Sequence, residues 1–245
     1  NLDTNRFTPF LVTSARGALS ERAEKAGIFT FINSFPWPSR RRPWVFWKSI
    51  LDLATIVKKN RIHLMHTNCD TSLRYVRWVS MLTGIPYVSH VRDFIRRWFD
   101  KPWFNGLISA SWVIANSSAI HKACITAGLK SEKIIKIYNP VNVEDFLKTS
   151  INGKDEYRRK INLPECDIVI GIVGQVQPHK GQEEFIRAGL VLASRYHKVH
   201  FLIAGSIYGE ENQAYFHKCW GLVESSPYSH QFSFIGFHEN APELM

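Results

Sequence analysis

The chain has 245 residues, 45% hydrophobic and 13% aromatic, which excludes a disordered polymer and suffices for one large or two ordinary cored domains. Its four cysteines, Cys69, Cys124, Cys166 and Cys219, lie far apart with no C-x-x-C, which excludes a dense disulfide framework or a spaced zinc site and fits a reducing compartment; no stretch approaches the roughly 18 apolar residues of a membrane span. The net charge of +10 is lopsided: residues 1–145 carry 21 Lys and Arg against 10 Asp and Glu, residues 146–245 carry 10 against 11, and seven of the eight tryptophans lie in the first part, so two bodies with different partners are expected.

In chain order, 10–13 and 28–32 are short strand candidates around a helix over 18–26 that Gly27 stops. The polar opening Asn-Leu-Asp-Thr-Asn-Arg lacks the apolar segment of a signal peptide. Then Phe35-Pro-Trp-Pro-Ser-Arg-Arg-Arg-Pro-Trp-Val-Phe-Trp47 forms a basic loop rich in Trp and Pro. It leads into a helix over 43–59, with Pro43 in the first turn, where a missing N–H costs nothing, and a core face of Ile50, Leu53, Ala54 and Val57. A strand over 61–66, a helix over 72–83 closed by Gly84, and a strand over 87–91 follow, the last delivering His90 near its C-terminal end. After a second Arg/Trp-rich stretch, 93–103, come a helix to 109, a strand over 112–115, a helix over 118–127 capped from Asn116-Ser-Ser, and a strand over 134–138. This alternation implies a parallel sheet covered on both faces. Residues 139–162 are polar and irregular apart from a helix over 154–160, which places the boundary at 147/148. The second body supplies strands over 168–173, 199–204 and 231–235 and helices over 182–196 and 211–223. That is half of an ordinary doubly wound sheet, so this body is expected to be incomplete.

The most informative stretch is Ile168-Val-Ile-Gly-Ile-Val-Gly-Gln-Val-Gln-Pro-His-Lys-Gly-Gln-Glu-Glu-Phe-Ile186. Its β-branched start reads as a strand buried on both faces, followed by a polar loop and a helix from Gln182. Unpaired N–H groups and the positive dipole end at such a helix start suit an anion, and Lys180 adds a full charge, so a phosphate or diphosphate is the expected ligand. Gly171 and Gly174 do not complete a G-x-G-x-x-G, and Lys180 precedes Gly181 where a Walker loop has the reverse. The residues alone therefore leave open a second reading, in which Lys180 is solvated and the glycines serve packing.

Six blocks stand in order along the chain: Arg61-Ile-His-Leu-Met-His-Thr-Asn68, Gly84-Ile-Pro-Tyr-Val-Ser-His-Val-Arg-Asp-Phe94, Val113-Ile-Ala-Asn-Ser117, Ile137-Tyr-Asn-Pro-Val-Asn142, Gly171-Ile-Val-Gly-Gln-Val-Gln-Pro-His-Lys-Gly181 and Phe234-Ile-Gly-Phe-His-Glu-Asn-Ala-Pro-Glu-Leu-Met245. Together they resemble the retaining glycosyltransferases of family 4, which have the two-domain GT-B fold. The resemblance implies an α/β chain of two Rossmann-like domains, the second incomplete: 1–147 on the acceptor side and 148–245 binding a UDP- or GDP-linked sugar, with no further cofactor. It assigns the donor diphosphate to Gly174, Gln175, Lys180 and Gly181, and puts His90 at the cleft near the transferred sugar; a lone strand histidine also fits a structural role. Asn116 and Asn139 fit caps and turns better than the cleft.

Three features depart from the family pattern. Gln175 stands where the family has arginine; it can hydrogen-bond a phosphate without neutralising it, and His179 is the nearest substitute cation. The glycine-rich loop after the first strand, and the paired glutamates for the donor ribose and sugar, fall outside 1–245, so these residues alone can be inactive. Chemically, the departing diphosphate needs positive charge, and with no D-x-D in the sequence that role falls to Lys180 and the helix start, without a metal. No carboxylate nucleophile stands out: Asp93 lies in a basic stretch and is expected to pair with Arg92 or Arg96. The resemblance implies same-face attack by the acceptor instead.

The basic aromatic stretches, with Arg40, Arg41, Arg42, Trp44 and Trp47 in one and Arg96, Arg97 and Trp98 in the other, have three readings: a solvated loop over a Trp-filled core, contact with an anionic membrane surface, and nucleic-acid binding. The last is least supported, because no helix-turn-helix, zinc knuckle or RNA-binding sheet motif accompanies the charge. The leading expectation is a sugar transferase acting on a lipid-linked or surface-glycan acceptor, cytoplasmic and peripheral to the inner face of the membrane, in envelope polysaccharide assembly. A nucleotide-sugar epimerase of the same architecture and a non-catalytic membrane- or acceptor-binding fragment are the alternatives.

Overall fold

Short β-branched and aromatic runs ending in turns become strands throughout the computed structural model, which describes residues 3–93, 101–144, 147, 154–238 and 244. They pack into two units, Asn1–Pro140 and Val141–Met245. In the first, β1 (Phe10–Thr13) and β2 (Phe29–Ile32) pair in parallel around α1 (Ala18–Lys25). After α2 (Pro43–Lys59), a second parallel sheet runs β3 (Met65–Thr67), β4 (Tyr87–Val91), β5 (Trp112–Ala115) and β6 (Ile134–Lys136) in chain order, connected through α3 (Asp70–Thr83), α4 (Lys101–Ser109) and α5 (Ser118–Thr126).

Strands that advance in one direction by right-handed crossovers place every connecting helix on the same side. The core agrees: Met65, Tyr87, Val91, Val113 and Ala115 of the strands share one cluster with Ile50, Leu73, Val79, Leu107, Ile120 and Cys124 of the helices. On the opposite face Leu64, His66, Trp112 and Ile135 are exposed, and Val88, His90 and Ile114 partly so. Among the described residues β3–β6 are thus covered on one face and not on the two expected, for a topological reason. The predicted core side of α2, Ile50, Leu53, Ala54 and Val57, is buried. β3 begins at Met65 rather than 61 because α2 closes with the Ile62 N–H donating to the Val57 carbonyl at 3.0 Å and Arg61 at φ 50°, a C-cap that uses up those residues.

The second unit contains α6 (Lys154–Lys160), β7 (Ile168–Val173), α7 (Gln182–Ala193), β8 (Val199–Ala204), α8 (Glu210–Glu224) and β9 (Phe232–Gly236), its parallel sheet running β7-β8-β9. All six residues of β8 are buried. β7 lies at an edge of the described sheet with Ile168 53% exposed, which corrects the expectation of a strand buried on both faces. What separates β7 from β8 is which strands flank each, which local sequence does not encode. Tyr157 of α6 meets His238, just beyond β9, with Oη and Nε2 2.5 Å apart. Among the described residues no helix is long and apolar enough to cross a membrane.

Candidate functional site

Two polar clusters sit at strand C-terminal ends, one in each unit. In the second unit, the chain leaves β7 at Val173, crosses Gly174–Gln177, makes a 3-10 turn at Pro178–Lys180, and enters α7 through Gly181, whose φ of 80° suits glycine. The loop is held on both flanks. The Gly174 N–H donates to the Ala204 carbonyl at 2.9 Å and the Val176 N–H to the Ser206 carbonyl at 3.0 Å. A Cβ on Gly205 would stand 1.8 Å from the Gly174 carbonyl oxygen, so only glycine lets the two strand ends close this tightly.

On the helix side, the buried Gln182 amide donates to the Gln175 carbonyl at 3.0 Å and its Oε1 accepts from the Gln177 N–H at 3.4 Å. The outcome is a loop shaped by its own bonds, presenting Lys180 and His179 to solvent. Lys180 forms no ion pair among the described residues.

The start of α7 is more occupied than the sequence suggests. The Glu183 N–H donates to the Tyr215 hydroxyl at 3.0 Å. The Glu183 carboxylate takes Lys218 at 2.6 Å and Arg187 at 2.9 Å, and hydrogen bonds from these two cations hold its carboxyl below the usual carboxylate range. Charge for an anion at this loop therefore comes chiefly from Lys180.

In the first unit, β3, β4 and β5 bring His66, Asn68, His90, Arg92 and Asn116 together. The His66 and His90 rings stack with centroids 5.8 Å apart and 16° between planes. Desolvation first, then the positive charge of Arg92, lowers both imidazoles below their ordinary pKa, and His66 adds a third, smaller contribution to His90. His90 Nε2 and Asn116 Oδ1 are buried without a hydrogen-bond partner among the described residues. Arg92 Nε donates to Asn68 Oδ1 at 3.0 Å, and Asn116 Nδ2 donates to the Arg92 carbonyl at 2.9 Å. Arg92 therefore serves Asn68, and among the described residues no ion pair joins it to Asp93; the other expected partner, Arg96, lies outside the described residues. Ser117, not Asn116, caps α5, accepting from the Ile120 N–H at 3.1 Å.

Of the basic aromatic residues, Arg40, Arg41, Arg42, Trp44 and Trp47 are exposed on and before α2. Arg96, Arg97 and Trp98 lie outside the described residues. Gly174, Gln175, Lys180 and Gly181 thus share one loop of the second unit, while His90 belongs to the first. Sequence reading passed over Gln182, Tyr215, His66 and Asn68. For Gln182 a signal existed: it stands in line with Ile186, Gly189 and Ala193 on the buried stripe of α7, and a polar residue on such a stripe must be bonded.

Two parallel-sheet α/β units with polar clusters at strand C-terminal ends define the class, the GT-B architecture of many glycosyltransferases. The sequence model of Glycosyltransferase Family 4 matches residues 1–145 and that of Glycosyl transferases group 1 matches residues 153–245; the chain belongs to glycosyltransferase family 4. Among solved structures, HepE of Anabaena in complex with UDP and glucose is 18% identical, with a TM-score of 0.80 over 98% of this chain and 65% of that one. A glycosyltransferase from Rickettsia africae ESF-5 is 17% identical, with a TM-score of 0.73 over 98% and 62%. The UDP-GlcNAc 2-epimerase of Neisseria meningitidis bound to UDP-GlcNAc is 14% identical, with a TM-score of 0.58 over 95% and 64%. At these identities the likeness is one of fold, and the chain spans less than two thirds of each of these three proteins. No curated protein matches it.

Proposed function

We propose that the chain is the nucleotide-sugar-handling part of a glycosyltransferase that moves a sugar from a UDP- or GDP-linked donor to a lipid-linked or surface-glycan acceptor with retention of configuration. The observation that carries this is the loop between β7 and α7, shaped by its own hydrogen bonds and offering a Lys180 that forms no ion pair among the described residues, in a family 4 chain. In this reading 148–245 is the donor side, with the diphosphate on Gly174, Gln175, Lys180 and Gly181. Residues 1–147 are the acceptor side, with His90 facing the transferred sugar. HepE, in complex with UDP and glucose, supports a UDP-linked donor over a GDP-linked one.

Lys180 stabilises the leaving diphosphate electrostatically, and the acceptor hydroxyl attacks the sugar from the face the diphosphate leaves, its proton passing to the departing phosphate oxygen. Charge stabilisation by Lys180 makes a metal or further cofactor unnecessary. His90, with a lowered pKa, is neutral at physiological pH and hydrogen-bonds a sugar hydroxyl instead of adding charge. Gln175, in place of arginine, weakens diphosphate binding and favours a second reading, a binding fragment that does not turn over. The likeness to the Neisseria epimerase favours a third, which donor turnover without acceptor would support. The acceptor side is placed at the inner face of the membrane through its basic aromatic loop.

Titration calorimetry with UDP and GDP tests the donor reading on this chain directly. UDP is expected to bind, and Lys180→Ala to weaken it by about tenfold, the value of one charge-assisted phosphate contact. Equal affinity of Lys180→Ala and parent removes the loop assignment.

A further inference from the structure

A helix that covers a core has one apolar side and a polar one facing water. α2 is apolar on both. Its inner side buries Phe46, Ile50, Leu53 and Val57. Its outer side carries Trp44, Trp47 and Leu51, spaced i, i+3, i+7, with Trp44 63% and Leu51 57% exposed. α3 adds to this side: the half-buried Trp78 and Met81, 63% exposed, stand at i, i+3, with Arg74 one turn before Trp78.

The two stripes join where the Trp47 and Trp78 rings meet edge to face at 5.1 Å. Cations frame them. The Arg74 guanidinium lies 4.2 Å over the Trp37 ring, and that of Arg77 lies 5.6 Å from the Trp78 ring. From 36 to 82 the sequence holds nine Lys and Arg (Arg40, Arg41, Arg42, Lys48, Lys58, Lys59, Arg61, Arg74, Arg77) against Asp52 and Asp70, and of these Lys48 is taken by Asp52 at 2.6 Å.

We propose that the outward face of α2 and α3 is a docking surface for an anionic lipid bilayer, with both helices lying along the membrane plane. Trp44, Trp47, Leu51 and Met81 enter the boundary between headgroups and acyl chains, where indole rings and aliphatic side chains lose contact with water. Arg40, Arg41, Arg42 and Arg74 meet lipid phosphates. The inference rests on the peripheral-membrane part of the proposed function and deepens it: the contact extends from the loop onto two helices, and it recruits Leu51, Arg74 and Met81. Nucleic acid fits less well, because Leu51 and Met81 offer nothing to a base or a phosphate. A protein partner would have to be acidic to match Arg40, Arg41, Arg42 and Arg74.

Co-sedimentation with phosphatidylcholine vesicles, with and without a third phosphatidylglycerol, tests the surface. The parent is expected to partition onto the anionic vesicles only. Arg40→Ala, Arg41→Ala and Arg42→Ala combined should reduce partitioning about 100-fold, from about fivefold per basic residue. Leu51→Glu with Met81→Glu should reduce it at least about tenfold while leaving UDP binding and the circular dichroism spectrum unchanged, since both side chains are exposed. Parent protein that stays in the supernatant, a Leu51→Glu/Met81→Glu variant that partitions like the parent, or tighter binding to homopolymeric RNA than to the vesicles would each overturn the proposal. Lys180→Ala separates the two readings: it should bind UDP about tenfold more weakly and keep the vesicles, so loss of the nucleotide reading alone leaves the surface standing.

Discussion

Gln182→Leu isolates what shapes the β7–α7 loop. The side chain is 1% exposed, and leucine fills nearly the same volume, so the change removes two hydrogen bonds without opening a cavity. The Gln175 carbonyl and the Gln177 N–H lose their partner. Two net bonds at about 1 kcal/mol each, plus the desolvation cost of whichever group stays dry, give about 2–4 kcal/mol. The unit involved spans Val141–Met245, 105 residues, for which 1 kcal/mol moves the midpoint by about 4–8 °C, so melting of that unit should drop by about 10 °C or more.

Gln182→Glu provides the control. Its carboxylate still accepts from Gln177, but only the protonated acid donates to the Gln175 carbonyl. Burial and this bond raise the folded-state pKa of the introduced carboxyl above its unfolded value. Its stabilisation is therefore present below the unfolded pKa and lost as pH rises through the folded one. Thermal melts of parent and variant, paired at each pH, should converge near pH 4–5 and diverge toward pH 8 by about the deficit of the leucine variant. A Gln182→Leu midpoint indistinguishable from the parent, or a parent-to-glutamate difference independent of pH, would refute the reasoning.

Two more outcomes follow from the same structure. Gly205→Ala forces a methyl to 1.8 Å from the Gly174 carbonyl oxygen, so β7 and β8 must separate; a loss above about 3 kcal/mol is expected, seen as a lowered denaturant midpoint, and a midpoint near the parent's would show that the ends part freely. His66, His90 and His200 all have folded pKa values below 6.5, so the unfolded chain takes up protons first: stability should be full above pH 6.5 and fall as pH drops through the folded values, and a melting temperature unchanged between pH 7.5 and 5 would contradict it.

Much of the architecture was legible because it is local. Pro43 and the Ile50, Leu53, Ala54 and Val57 stripe mark α2, β7 and β8 have the predicted limits, and glycines 27, 84 and 128 stop their helices at positive φ. What was not legible is long-range. That β8 rather than β7 is the buried strand depends on which strands pair, and that β3–β6 are covered on one face depends on the direction of the crossovers. At the loop, Lys180 and the glycines are visible as residue types, whereas the Gln182 clamp and the bond from the Glu183 N–H of α7 to the Tyr215 hydroxyl of α8 join residues up to 32 positions apart. The outward stripe of α2 was in the sequence as Trp44, Trp47 and Leu51, but which of two apolar sides is left uncovered depends on what packs against the helix.

The most direct test of the nucleotide loop is amide NMR of the isotope-labelled chain titrated with UDP. The account predicts that the largest shifts fall on the Gly174, Gln175 and Gly181 N–H groups and that in Lys180→Ala they need about tenfold more UDP. Saturable UDP binding that leaves those three amides unmoved would contradict it.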